Sequence, residues 1–180
     1  MTTPARAQES AANAGPVLEE VVVTTRRREE SLQDVPAAVS AFSADQLREL
    51  AITNLEDINS LAPNIKVNPG RATSNTINAY IRGVGQNDPL WGFEPGVGIY
   101  MDDVYIARPQ GALLDVYDVQ RIEILRGPQG TLYGKNTLAG AIKYVTRDIV
   151  GEPSFDATVA AGSYGQLDLK LAGSHALGEH

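Results

Sequence analysis

The 180-residue chain contains no cysteine. That removes disulfide scaffolds, thiol nucleophiles and cysteine-ligated zinc, and it is compatible with an oxidising compartment. Histidine is nearly absent. Its two copies, His175 and His180, lie in the last six residues, so neither a His-based triad nor a multi-histidine metal site can form inside the main domain. Basic charge is in deficit. Fifteen Lys and Arg against 22 Asp and Glu leave −7, the wrong sign for a general nucleic-acid binder, which must displace counterions from phosphates. No run approaches about 18 consecutive apolar residues, so there is no transmembrane helix. No signal-peptide h-region precedes Ala5-Arg6-Ala7, a small-x-small triplet that is either the scar of a removed export signal or part of an Ala-rich tail.

Hydrophobic residues make up 43% of the chain, enough for one core, and a domain of this length buries roughly 70% of its unfolded surface. Residues 1–18 are too poor in apolar side chains to offset their ordering entropy and are predicted to be a disordered leader. Val21-Val22-Val23-Thr24-Thr25 is a β-branched run that favours extended backbone. It is too short and isolated to form its own sheet. It is either a tethered strand for augmenting another protein's sheet edge or an edge strand of the domain that follows. Arg26-Arg27-Arg28-Glu29-Glu30 reads as a solvated linker.

Strands are predicted over 36–42, 65–67, 77–82, 97–105, 120–125 and 140–146. Ser43-x-x-Gln46 is a capping box opening a helix over 44–51. Asn54 caps a second helix that carries Leu55, Ile58 and Leu61 and stops at Pro63. Leu113, Leu114 and Tyr117 stand at helical spacing. Short helices among short strands make a small α+β domain ending near Arg147. The loop 83–96 holds Trp91 and Phe93, which either contact a ligand or fold back on the core. From Ser154 the grammar changes. Two ten-residue dyad-repeat stretches flank Gly162-Ser163-Tyr164-Gly165, matching transmembrane barrel strands in length and alternation, as any half-buried antiparallel hairpin also would.

Catalytic readings are weak. Residues 126–137 resemble a phosphate loop but fail it, because Gln129 occupies the first Gly position and Asn136 replaces the Ser or Thr after Lys135. Asp102, Asp103 and Glu123 are the most plausible acid–base carboxylates. Asp102 and Asp103, adjacent on one strand, point to opposite faces and cannot act as a pair. No loop has EF-hand spacing. No catalytic residue, cofactor or metal site is expected.

The ordered blocks VLEEVVVTTRR, SLQDVPAAVSAFSADQL, YIRGVG, VGIYMDDVYI and VQRIEILRGPQGTLYGKNTLAGAIKYVTR, followed by the dyad strands, resemble the N-terminal plug of TonB-dependent outer-membrane receptors across residues 18–174. The resemblance implies a leader over 1–18, a TonB box and linker over 19–33, a mixed-sheet plug over 34–147, and over 148–180 the first two strands of a 22-stranded barrel. Two strands cannot close in hydrocarbon, so the chain is expected to be the front of a longer protein. The resemblance also implies that Val21, Val22, Val23, Thr24 and Thr25 pair with the C-terminal domain of TonB, driven by its inner-membrane energising complex. Arg82, Gly83, Arg126, Gly127 and Pro128 would lock plug to barrel, the arginines facing carboxylates on the barrel wall. Arg71, Asn75, Asn87, Trp91, Arg108 and Gln110 would meet the ligand, a chelated iron or similar scarce nutrient whose metal takes no direct protein ligand. The plug would sit in the outer membrane with its box facing the periplasm. Two residues depart from the family pattern: Asp103, where Gly often follows the Asp, and Lys143, where Asn is common. The competing expectations are a stand-alone soluble periplasmic module whose 154–174 hairpin packs on the domain, and an enzyme using Asp102 or Glu123.

Overall fold

A computed structural model describes residues 21–71, 73–88, 90, 92–114, 116, 118–148 and 153–175. The expected leader and Trp91 lie outside them. The chain opens with β1 (Val22–Val23) and β2 (Glu30–Ser31), then β3 (Ala38–Ser43), helix α1 (Ala44–Glu49) and a 3-10 turn (Leu55–Ser60). Next come β4 (Ile65–Pro69), β5 (Ile77–Ile81), β6 (Val84–Gly85), β7 (Val97–Met101), β8 (Val104–Tyr105) and β9 (Val119–Arg126). Helix α2 (Gly130–Tyr133) leads to β10 (Gly140–Thr146), and a hairpin of β11 (Ser154–Ala161) and β12 (Leu167–Ser174) follows.

Local signals behave as their chemistry requires. The Ser43 hydroxyl accepts from the Gln46 amide while the Gln46 side chain accepts from the Ser43 amide, a complete capping box. Asn54 and Asp57 do the same for the 3-10 turn. Each box satisfies backbone donors that a helix start leaves orphaned.

The central sheet has five strands in the order β3-β9-β10-β7-β8, with β10 and β7 parallel. A smaller sheet, β4-β5-β6, lies against it. Side chains alternate along β9 and β10, and both sheet faces are buried. One face sends Ile122, Ile124, Ile142 and Tyr144 into a core with Leu47, Leu55, Ile58, Ile65 and Ile81. The opposite face carries Leu125, Ala141 and Tyr100 beneath Tyr133 of α2. Gly140 sits at the crowded seam. Its φ is +151°, and a Cβ there would stand 2.1 Å from the Leu125 carbonyl oxygen.

Three expectations are corrected. The single strand over 97–105 is two, because Asp102 adopts φ +53° and turns the chain so that Met101 faces Val104. Asp102 and Asp103 therefore occupy a turn rather than opposite faces of a strand. Leu113 and Leu114 lie in an irregular segment whose amides are taken elsewhere: Leu113 donates to the Asn75 carbonyl and Val116 to that of Thr53. The run at 21–25 does form a sheet of its own, pairing Val22 with Ser31 and Val23 with Glu30.

The final hairpin does not pack on the domain. Every residue from Ser154 to Leu171 is exposed. Cross-strand pairs Ala157–Leu171, Val159–Leu169 and Ala161–Leu167 place the large apolar side chains on one face.

Candidate functional site

Residues 21–25 are docked onto the second face of the central sheet. Val23 is fully buried and Thr25 nearly so. The Thr24 amide donates to Glu123 Oε1 at 2.8 Å across 99 residues of sequence. The Thr24 hydroxyl donates to the same oxygen at 3.2 Å and accepts from Arg121 Nη2 at 3.1 Å and Lys143 Nζ at 3.0 Å. A hydroxyl has one donor and two lone pairs, so this one is used in full. Arg121 Nε also holds Glu123 Oε1 at 2.7 Å. Lys143 reaches outward to Asp103 Oδ1 at 3.1 Å.

The next residues are held as firmly. The Tyr133 hydroxyl donates to the Thr25 carbonyl at 2.7 Å, and the Arg27 guanidinium lies over the Tyr133 ring, 5.8 Å from its centroid. Burial, then the carboxylates of Glu123 and Asp103, push the Tyr133 phenol up, so it remains a protonated donor. Arg26 and Arg28 both pair with Glu30 across the turn. β2 thus pairs with one backbone edge of β1, and Glu123 takes the Thr24 amide just beyond it.

Glu123, Arg121, Lys143 and Tyr133 were not singled out as binding residues. The available signal was a charge inside each of two apolar strands, Ile-Glu-Ile-Leu and Ile-Lys-Tyr-Val. Burying a charge is costly unless it is paired, so each charge required a partner on a covered face. Glu123 and Lys143 stand directly opposite each other in register.

A second cluster lies at the far end of β5. Arg82 and Gly83 both have positive φ, +53° and +79°, and form the two-residue loop between Ile81 and Val84. The Arg82 guanidinium swings to within 3.9 Å of where a Cβ on Gly127 would be. The Gly127 amide is held by the Ala139 carbonyl at 2.8 Å, and Pro128 follows it in the turn. Arg126 is beside them with Nε and Nη2 buried and unpartnered among the described residues. Burial first, and then the charge of Arg82, pull the Arg126 guanidinium below its usual value. Neither arginine is in an ion pair among the described residues.

The opposite end of β5 gathers loop residues. Asn75 accepts through its carbonyl from Gly111 and Leu113 at 3.1 Å each, and Thr76 bridges to Gln110. Asn78 donates to the Asn87 carbonyl at 3.2 Å and shares a small cleft with Gln86 and Arg108. Asn75, Asn87, Arg108 and Gln110 are thereby brought to one end, with Arg71 exposed on the adjoining loop. Phe93 is 50% exposed and does not fold back on the core. A groove of about 590 Å³ lies elsewhere. It is lined by Lys66, Asn68, Tyr80 and Arg82 at the arginine end, away from these loops.

The family model of the TonB-dependent Receptor Plug Domain matches residues 31–141. The vitamin B12 transporter BtuB of Vibrio vulnificus (strain CMCP6) is 27% identical over 160 residues, covering 87% of this chain and 25% of that protein. The pesticin receptor of Yersinia enterocolitica is 34% identical over 124 residues, covering 67% of this chain and 17% of that protein. The crystal structure of the ferric yersiniabactin uptake receptor FyuA from Yersinia pestis superposes with a TM-score of 0.69 at 26% identity, over 78% of this chain and 22% of that one. The chain therefore spans a quarter or less of the length of these relatives.

Proposed function

Because this chain belongs to the TonB-dependent receptor plug domain family, we propose that it is the gating and coupling portion of an outer-membrane receptor for active uptake of an iron–siderophore complex or similar scarce nutrient. The relatives are transporters and receptors of the outer membrane, for vitamin B12 and ferric yersiniabactin among others. In this reading residues 34–147 fill the lumen of a barrel begun by β11 and β12. The apolar face of that hairpin meets lipid and its polar face lines the lumen.

The observation that carries the reading is the arginine pair. Two like charges side by side, one with a buried and unpartnered guanidinium edge, are unfavourable unless an anionic surface meets them. Carboxylates on a barrel wall supply that surface, and the Arg fork suits them bidentately. Arg71, Asn75, Asn87, Arg108 and Gln110 form the ligand-facing end. The two arginines there suit an anionic chelate. The segment Val21–Thr25 pairs with the C-terminal domain of TonB by strand addition. TonB can reach it only after it leaves the plug face, so ligand must favour the released state to start transport.

The test is the size and location of the native product. Antibody raised against residues 34–147 is used to blot outer-membrane and soluble fractions of the source cell. A band several times 19.2 kDa in the outer membrane supports the reading. A soluble band at 19.2 kDa would replace it with a stand-alone periplasmic module that binds TonB without transport.

A further inference from the structure

The three groups that hold Thr24 are not equivalent. Arg121 and Glu123 satisfy each other at 2.7 Å, and Arg121 also donates to Gln120 at 2.8 Å. That ion pair is made within β9 and does not need the strand, although Glu123 Oε2 is buried without a partner among the described residues. Lys143 differs. Its ammonium is buried, with a side chain 4% exposed, and it bonds to Thr24 Oγ1 on one side and Asp103 Oδ1 on the other. It bridges the docked strand to a surface carboxylate that is 56% exposed.

Asp103 sits at the tip of the β7–β8 turn, and its position is built in. The neighbouring Asp102 holds the left-handed φ of +53°. The Asp102 carboxylate accepts from the Thr146 amide at 2.9 Å and from its hydroxyl at 3.1 Å, while the Asp102 amide donates to the Tyr144 carbonyl at 2.7 Å. The turn is therefore riveted to the end of β10, where the chain leaves for β11. On its other side, β8 runs from the turn into the segment carrying Arg108 and Gln110. One two-residue turn touches the docked strand through Lys143, the exit toward the hairpin through Thr146, and the loop end through β8.

We propose that Asp103 and Lys143 are a positioning pair that ties docking of residues 21–25 to the state of the β7–β8 turn. With the turn in place, Asp103 holds the ammonium under Thr24. A shift of the turn, from the loop end or from the hairpin side, takes away the counter-ion. Without that half-exposed carboxylate the buried ammonium is held less favourably beneath the strand, so Lys143 is drawn outward and the strand's charge-assisted hydrogen bond weakens. The physical warrant is a two-state element, docked or released strand, whose balance the pair biases. The significance of release rests on reading Val21–Thr25 as the TonB box; the pairing itself does not.

The absence of cysteine makes the experiment direct. A single Val23→Cys thiol in the full chain reports release through its labelling rate, because Val23 is fully buried when docked. Ala62→Cys, in the opposite core, reports general loosening. Asp103→Asn is expected to speed labelling at position 23 about threefold to fivefold, as for a half-exposed pair. Lys143→Met should speed it roughly tenfold or more, the range of a hydrogen bond to a charged group. Lys143→Arg should return it toward the parent rate, and position 62 should stay slow throughout. Unchanged labelling at 23 in both variants, or a parallel rise at 62, overturns the proposal. Titration of the C-terminal domain of TonB against the same variants without the thiol separates the two readings. Faster labelling with no gain in TonB binding leaves the pair standing and removes the box assignment.

Discussion

Replacing Thr24 by Val tests whether docking and TonB pairing compete for one strand. Valine keeps the volume and the β-branch, so the strand remains a strand. It removes the hydroxyl that donates to Glu123 and accepts from Arg121 and Lys143. Each charged partner retains another contact: Glu123 with Arg121 and the Thr24 amide, Lys143 with Asp103. No charge is wholly orphaned, so the loss lies near the lower end for hydrogen bonds to charged groups, about 1.5 kcal/mol for each of two strong contacts. About 3 kcal/mol of docking free energy corresponds to roughly a hundredfold rise in the released population. A partner that binds only the released strand gains apparent affinity in proportion, up to the point where release is complete. Thr24→Val should therefore bind the C-terminal domain of TonB more tightly, by up to about a hundredfold, in a calorimetric or fluorescence titration. Its thermal midpoint should change little, because the main core lies on the other sheet face. Unchanged or weaker binding would refute the reasoning, the weaker case showing that the hydroxyl serves TonB rather than the docked state.

Other outcomes follow from the same geometry. Val23→Pro should abolish TonB pairing, since it removes a backbone donor from the strand; pull-down with the C-terminal domain checks it. Arg126→Met in the full 180-residue chain should be neutral or stabilising by about 1 kcal/mol in chemical denaturation, because it removes a poorly solvated charge beside Arg82. Gly140→Ala should lower stability by about 3 kcal/mol or more, because its Cβ would meet the Leu125 carbonyl at 2.1 Å. Acid should weaken the fold through Asp57. Burial raises its carboxyl, but hydrogen bonds from Thr53 and Asn54 outweigh that and leave it lowered. A lowered carboxyl stabilises fully above its unfolded value, about 3.9, and the contribution is lost as pH falls through the folded value. Asp57→Asn should flatten that part of a stability–pH curve measured below about pH 4.

The chain's local signals were readable because their partners are near in sequence. Ser43 and Gln46 are three residues apart, and the alternation of Ile77, Ala79 and Ile81 needs only the pleat. Leu113 and Leu114 misled because helical spacing is silent about competitors. Asn75 and Thr53 take the amides of this segment, and a helix here would have to give them up. Asp102 misled for a related reason: Thr146, 44 residues away, holds its carboxylate and steadies a left-handed turn where a strand was expected. Asp103 and Lys143, noted separately as departures from the family pattern, turn out to be one ion pair.

Composition and period by themselves determined a small α+β domain with short capped helices and an amphipathic hairpin; the plug came from the resemblance of the ordered sequence blocks. These properties depend on residues a few positions apart, where chain connectivity already brings the groups together. Only the tertiary structure decided that the strand at 21–25 is docked, that Glu123 and Lys143 lie beneath it, and that Arg82 and Arg126 share one end. The Thr24–Glu123 contact spans 99 residues and exists because β9 and β10 pair in a register that leaves two opposite charges on a face needing a cover. Nothing in either segment alone carries that information, since a buried charge specifies that it must be paired but not by which part of the chain.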